Sequence, residues 1–438
     1  MCSFLIYNFL VARTLLDTVN KFLQMRGPDD TNMVTHNGVT FVHNLLHVTG
    51  QKTIQPFIDE TIFALYNGQI YNYKSFGSTY QSDGECLIPL YKIHGPNFIT
   101  KLHGEFAIVL FDFEKQRIIL SSDIFRTKPL YYSFSNGQIG IASWPLPLKQ
   151  LGMKNIKSIP PNTTLVFNLQ SRELQSSQSV YTFDLTQHKK TYDDFLMALK
   201  QSIAIRTENT QHVPFLTLSS GYDSGTIACE LLQQNKITNY ISLNSTKENL
   251  TTIKNRFDLN ITGEKTLLER TDYTLKDFDY IIDLRKECLG HTGITTPDWV
   301  ANMFLLTKAK ELNYRVHLSG HGSDEIISDY SEEKEYSNFQ GKFPSNLNKI
   351  FPSTPNSNAK WANFYGRLNE WNLCREEFLS SIFSIETRYP FLDKFVVQEF
   401  LSLDVELKNR FYKAPLKLYL EEKGYPFDLG QKAPLWLK

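Results

Sequence analysis

The sequence predicts an α/β protein in two parts: stacked β-sheets in the first half, then a doubly wound parallel sheet with helices in the second. Three features carry this. From Cys2 to about Asn168 the chain is a succession of short apolar, β-branched and aromatic runs broken by turns. Between about 168 and 192 it turns polar, as in Gln170-Ser171-Arg172-Glu173. Beyond that, strand-like runs alternate with helical periodicity, the pattern of a parallel sheet. At 438 residues the chain is long enough for two domains, each burying its own core.

In the first half the apolar start, Ser3-Phe4-Leu5-Ile6-Tyr7, reads as a buried strand. A secretory signal would need a basic leading segment, which is absent, and Asn8 interrupts the apolar run. Further strands are expected at 62–65, 106–111, 117–121, 138–142 and 164–167, with a helix over 86–93 covering them. The polar stretch 169–191 is expected to be a linker, dividing a domain at 1–168 from one at 192–438. The second domain opens with a helix from near Tyr192, whose apolar face is Phe195, Leu196, Leu199 and Ile203.

Charge excludes some partners. The 46 basic and 46 acidic residues balance, so neither nucleic acid nor an anionic membrane is an expected partner. No apolar run approaches the length of a membrane span. The five cysteines, at 2, 86, 229, 288 and 374, form no CxxC, which suits a reducing compartment and a cytoplasmic location.

Within the second domain, Phe215-Leu216-Thr217-Leu218-Ser219-Ser220-Gly221-Tyr222-Asp223-Ser224-Gly225 reads as strand, tight loop, helix. Such a loop aims backbone N–H groups and the positive helix end at one point, an anion site. Asp223 would repel a bare phosphate, so a cation such as Mg²⁺ is expected between them. A second strand, ending at Val316-His317-Leu318, runs into Ser319-Gly320-His321-Gly322-Ser323-Asp324-Glu325, another Gly/Ser turn carrying acids. His317 reads as a packed strand residue. His43 and His47 have the spacing of metal ligands on one helix face, but without a third ligand a structural role is expected.

Cys2 has two readings. One is a buried or incidental thiol. In the other, removal of Met1 gives one residue both a thiol and an α-amino group, nucleophile and base together. The neighbouring motifs favour the second: Arg26-Gly27-Pro28-Asp29, Asn67-Gly68-Gln69-Ile70-Tyr71-Asn72-Tyr73, Ser82-Asp83-Gly84-Glu85, His103-Gly104-Glu105-Phe106-Ala107 and Asp123-Ile124-Phe125-Arg126-Thr127-Lys128-Pro129. In order and spacing they resemble the N-terminal-nucleophile (Ntn) glutamine amidotransferase domain of glutamine-dependent asparagine synthetases. The loop Ser219-Ser220-Gly221-Tyr222-Asp223-Ser224 resembles the same family's S-G-G-x-D-S pyrophosphate loop. Ser319–Glu325 resembles its S-G-E-G-S-D-E, Glu386–Asp393 its E-x-R-x-P-F-L-D, and Tyr412–Lys417 its K-x-x-L-R.

This resemblance implies stacked antiparallel sheets in the first domain. It implies that Cys2 attacks the glutamine amide, that Asn67 and Gly68 form the oxyanion hole, and that Asp83 holds the glutamine α-amino group. It also implies that ATP is bound by Leu218, Ser219, Gly221, Asp223, Ser224, Leu243, Ser319 and Gly320, and Mg²⁺ by Asp223 and Asp324. Lys413, with Lys417 in reserve, would stabilise charge on the adenylate and pyrophosphate. The family's E-x-R-x-P-F-L-D segment packs the last helices against the ATP site.

Three departures stand out. The family's first loop glycine is Ser220 here. The arginine that clamps the glutamine α-carboxylate is Leu45, in His43-Asn44-Leu45-Leu46-His47, so glutamine binds weakly, is held by another basic residue, or is replaced as donor. The glutamate thought to help deprotonate the amine is His321, expected here to be the base. The predicted reaction is ATP-dependent amidation of a carboxylate, aspartate foremost, by glutamine-derived ammonia, in a possible homodimer. The alternatives are intramolecular amide formation, as in β-lactam synthetases or lasso-peptide cyclases, and a catalytically silent scaffold. The stretch 343–360, rich in Pro, Ser and Asn, is expected to be an exposed loop over the acceptor pocket. Asp298 and Trp299 lie where the family shapes that pocket.

Overall fold

The apolar runs of the first half build two six-stranded antiparallel sheets in the computed structural model, which describes residues 2–135, 137–246, 248–290, 296–328, 343–352, 354, 360–366 and 368–428. The first sheet has the order Lys157–Ser158, Tyr131–Ser135, Gln138–Ala142, Ser3–Tyr7, Val39–Leu45, Asp30–His36. The second runs Leu174–Ser179, Thr163–Asn168, Arg117–Ser122, Gly104–Asp112, Ile62–Ile70, Phe57–Asp59. Side chains alternate in direction along a strand, so each sheet offers one apolar face. Phe4, Ile6 and Phe41 from the first sheet pack with Phe63, Leu65, Val109 and Leu120 from the second in one core. The aromatic contacts are close, with Phe41 stacked on Phe63 at 5.2 Å between ring centres.

The stretch expected to link the domains is not free of secondary structure. Leu174–Ser179 pairs with Thr163–Asn168 as the edge strand. Its side chains are nearly all exposed, so it adds ladder hydrogen bonds and little core. His43 lies in the strand Val39–Leu45 and not on a helix, so the helical spacing of His43 and His47 has no structural counterpart. Among the described residues no cluster of three or more His, Cys, Asp or Glu could hold a metal ion.

The described chain divides into two compact units. The first comprises Met1–Thr182, Tyr280–Gly293 and Glu377–Glu386; the second comprises the remainder. In the second unit the strands Lys265–Glu269, Asn239–Asn244, Phe215–Thr217 and Val316–Leu318 pair in parallel in that order, with Glu386–Arg388 beside the last. From Phe215–Thr217 the chain winds outward through two strands, then returns to lay Val316–Leu318 on the opposite side. The sheet therefore reverses direction between these two neighbours, where such folds open a crevice at the carboxyl ends of the strands. The loops carrying Ser219–Ser224 and Ser319–Asp324 leave from those two ends.

The segment Glu386–Asp393 anchors elements of this unit. Arg206 on the helix Asp193–Thr207 pairs with Asp393 at 2.8 Å, both buried, and the Ser202 hydroxyl donates to the Pro390 carbonyl at 2.7 Å. The stretch 343–360 is exposed in part, at Ser345, Asn346, Asn348 and Lys349, whereas Phe343 and Leu347 are buried, and Phe343 packs on Trp361 with ring centres 5.1 Å apart. Residues 353 and 355–359 lie outside the described residues. No helix among the described residues is long and apolar enough to cross a membrane.

Candidate functional site

In the first unit the strand Ile62–Ile70 brings Asn67 and Gly68 beside Cys2. The Cys2 backbone N–H donates to Asn67 Oδ1 at 3.0 Å. Asn67 is fully buried, yet its Nδ2 has no hydrogen-bond partner. An unpaired buried donor is costly, and it is the kind of group an oxyanion hole keeps in reserve. Gly68 has φ +140, and a Cβ there would meet the Glu105 carbonyl at 1.9 Å, so only glycine fits. Phe106, opposite Gly68 in the ladder, donates its N–H to Asp123 at 3.0 Å. Asp123 also accepts from the backbone N–H groups of Phe125 and Thr127, so the turn it opens is tied to the strand behind the site.

The helix Arg13–Arg26 presents Leu16, Val19, Asn20, Leu23 and Arg26 on one buried face, a spacing of three and four residues. Its last residue fixes the Cys2 backbone: Arg26 Nε donates to the Cys2 carbonyl at 3.0 Å while Nη2 pairs with Glu377 at 2.6 Å. Lys128, from the Asp123 turn, reaches the other Glu377 oxygen at 2.9 Å. Burial lifts the Cys2 thiol above its ordinary pKa, opposed by the N-terminal charge and a backbone hydrogen bond from Leu46 and reinforced by Glu386 and Asp83.

Asp83 lies at the end of the same cleft, nine-tenths or more buried. It accepts from Gln69 Nε2 at 2.7 Å and the Ile70 N–H at 2.8 Å, and from the Tyr66 hydroxyl. Burial pushes it up to about 6. The cleft is lined by Cys2, Leu45, His47, Gly68 and Asp83 among others, and by Glu386, which sequence reasoning assigned to packing in the other half. None of the described lining residues is Lys or Arg.

In the second unit the loop Ser219–Ser224 is locked by its own hydroxyls. Ser224 Oγ accepts from the Ser219 N–H at 3.0 Å, and Ser219 Oγ accepts from the Gly221 N–H at 3.2 Å. Ser220 is accommodated without left-handed backbone, and both its N–H and its hydroxyl donate to Glu248 at 2.6 Å. Arg256, fully buried on the helix Leu250–Leu259, donates to the Gly221 carbonyl at 3.0 Å and to that of Ser219. Glu248 and Arg256 escaped the sequence analysis because each lies some thirty residues from the loop it braces. Leu218 hydrogen-bonds across to the strand Asn239–Asn244, which carries Leu243.

The two acidic loops meet. A Cβ on Gly320 would lie 3.0 Å from that of Asp223, so glycine permits the approach. The Ser323 hydroxyl donates to Asp223 at 2.7 Å. Lys413, buried at the start of the helix Ala414–Glu422 with left-handed φ +48, contacts both acids through Nζ: Asp223 at 2.5 Å, and Asp324. Lys417 is turned away toward Glu421, 3.5 Å distant. Burial works against the Lys413 charge, but the two carboxylates outweigh it and hold the ammonium well above its usual pKa.

His321, the base expected from the sequence, has an acidic partner. Its Nδ1 lies 2.5 Å from Glu376, a fully enclosed carboxylate that also accepts from Ser319 Oγ at 2.9 Å. Burial disfavours the imidazolium, but the charge and hydrogen bond of Glu376 prevail and raise His321 to about 9. Glu376 is itself lowered, its burial outweighed by His321. The imidazole is thus protonated at neutral pH, and any base at this position is the pair. Asp298 and Trp299 begin the helix Pro297–Glu311, Trp299 being buried.

A family model described as a glutamine amidotransferase domain matches residues 1–186, and one described as asparagine synthase matches residues 194–369. The chain is 26% identical over 428 residues to putative asparagine synthetase [glutamine-hydrolyzing] 1 of Methanocaldococcus jannaschii, covering 90% of this chain and 74% of that protein. It is 26% identical over 424 residues to asparagine synthetase [glutamine-hydrolyzing] 3 of Arabidopsis thaliana, covering 92% and 70%. With asparagine synthetase B [glutamine-hydrolyzing] of Escherichia coli it shares 24% over 408 residues, covering 86% and 69%.

Proposed function

Since the chain belongs to the asparagine synthetase type, a glutamine-hydrolysing ligase, we propose that it makes asparagine, activating aspartate as an acyl-adenylate and amidating it with ammonia from glutamine. The observation that carries this reading is the meeting of Asp223 and Asp324 on one cation, the Lys413 ammonium, at the crevice of a parallel sheet.

ATP lies with its phosphates against the loop Ser219–Ser224, at the start of the helix Tyr222–Gln233. Two carboxylates within reach of one cation are a donor set suited to Mg²⁺, which usually completes its shell with phosphate oxygens and water. Magnesium there would neutralise charge on the leaving pyrophosphate. Lys413 adds a fixed positive charge at the same place, and the His321–Glu376 pair takes the proton from the attacking amine.

In the first unit, with Met1 removed, the Cys2 thiolate attacks the glutamine amide carbon. The oxyanion is met by Asn67 Nδ2 and the Gly68 N–H, a contribution of about 3–4 kcal/mol where such donors have been removed from other enzymes. Asp83 takes the α-ammonium group.

The test is incubation with ATP, Mg²⁺, aspartate and amide-labelled ¹⁵N-glutamine, read by mass spectrometry. Label in asparagine is expected, and its absence while ATP and glutamine are both consumed sinks the choice of aspartate. An imidazole at 321 favours a second reading in which amine and carboxylate belong to one substrate. ATP–pyrophosphate exchange across a panel of acids separates the two, and a silent scaffold exchanges with none.

A further inference from the structure

The Cys2 cleft presents two buried carboxylates, Asp83 and Glu386, and no Lys or Arg among its described lining residues. Two buried basic groups of the same unit, Arg26 and Lys128, are both engaged by Glu377. His47 holds its Nε2 3.0 Å from the Gly50 carbonyl. Leu45 adds an apolar wall. Such a cleft complements a cationic group and a neutral one, whereas a carboxylate taken into it would lose water without gaining a cation.

Resting on the amidotransferase reading of Cys2, we propose that the cleft accepts primary-amide donors whose α-carboxyl group is blocked, such as a glutamine α-amide or an N-terminal glutaminyl peptide, at least as readily as free glutamine. The α-ammonium faces Asp83, and the neutral carbonyl end lies in the part of the cleft where a free carboxylate has no counter-charge. The chemistry is unchanged. Cys2 Sγ bonds to the side-chain carbonyl carbon, the C–N bond breaks, and ammonia leaves with the proton taken from the thiol. Water then cleaves the thioester, giving the side-chain acid with the α-block intact and restoring the thiol.

The full chain with Cys2 as its first residue is assayed for ammonia release from L-glutamine and from L-glutamine α-N-methylamide, with Cys2→Ala as blank. In the N-methylamide only the side-chain amide can yield ammonia. The expected kcat/KM for the N-methylamide is within tenfold of that for glutamine, or above it, and Leu45→Arg shifts the ratio at least tenfold toward glutamine. A more than tenfold preference of the unsubstituted protein for glutamine overturns the inference and leaves the amidotransferase reading intact. Release from neither donor overturns that reading as well.

Discussion

At the crevice of the parallel sheet Asp223 and Asp324 share an ammonium, whereas at the cleft beside Cys2 the acids Asp83 and Glu386 meet no lysine or arginine among the described lining residues. The first holds a cation of its own, the Lys413 ammonium, against its two acids. The second is lined by two buried acids and carries an unpaired donor, Asn67 Nδ2. Both lie in well-packed units, so the contrast concerns what each site is prepared to bind. In the crevice Asp223, Asp324 and Lys413, named from three separate motifs, lie together. In the cleft Cys2, Asn67 and Gly68 also lie together, but Leu45 stands where the resemblance expects an arginine.

The largest effect that separates the two sites is expected from Cys2→Ala. Loss of a covalent nucleophile costs on the order of 10⁴-fold or more in the reaction that depends on it. Glutamine-dependent amide formation should fall to background, while amide formation with ammonium and ATP–pyrophosphate exchange stay within twofold of the parent. A parallel loss of exchange would show that the two activities are not separable, and the comparison would fail.

Lys413→Ala probes the other side. Removing a preorganised charge from a developing anion typically costs about 10²–10³-fold. Exchange should drop by that amount, with glutamine hydrolysis in the absence of ATP unchanged. Lys413→Arg should recover part of the loss, because it restores the charge in a different shape. The residue's left-handed backbone, φ +48, makes a fold-related cause testable by melting temperature: a glycine there should be tolerated by the fold and still be inactive.

How much of this was legible in the sequence depended on distance along the chain. The segment Phe215–Gln233 could be read as strand, loop and helix because its signals are contiguous, and the Cys2 motifs could be read because each is a short contiguous run. Lys413 was preferred over Lys417 on the resemblance alone, because Pro415 obscured where the helix starts; the helix begins at Ala414, with Lys413 at its N-cap against Asp223. Glu376 was invisible for another reason. Two adjacent glutamates on a helix usually mark a solvated face, and only burial shows that this one is enclosed. The helix Arg13–Arg26 went unread because its polar residues outnumber the apolar ones, and its buried stripe includes Asn20 and Arg26. The exposed-loop expectation for 343–360 holds at its Ser and Asn residues and misses the anchoring of Phe343 on Trp361, because Pro, Ser and Asn were weighed and the aromatic residues were not.

The smallest effect concerns His321. The pair with Glu376 raises the imidazole from its ordinary value to about 9, so below that pH the ring is protonated and unable to accept a proton from the attacking amine. Its neutral fraction grows as pH rises through 9. Amide formation with saturating ammonia as nitrogen source should therefore climb by about tenfold per pH unit between 7 and 8.5 wherever that proton transfer limits the rate, then level off. ATP–pyrophosphate exchange, which needs no amine, should lack this limb. The same protonation contributes to folding: a group whose pKa is raised stabilises the folded state below its unfolded value and loses that contribution as pH passes the folded one. Stability should thus decline from pH 7 to 10 in the parent more than in His321→Gln. Glu376→Gln removes the raising charge and should bring the rate limb back toward the ordinary histidine range. A limb near 9 that survives this substitution would assign it to another group and leave the crevice without an identified base.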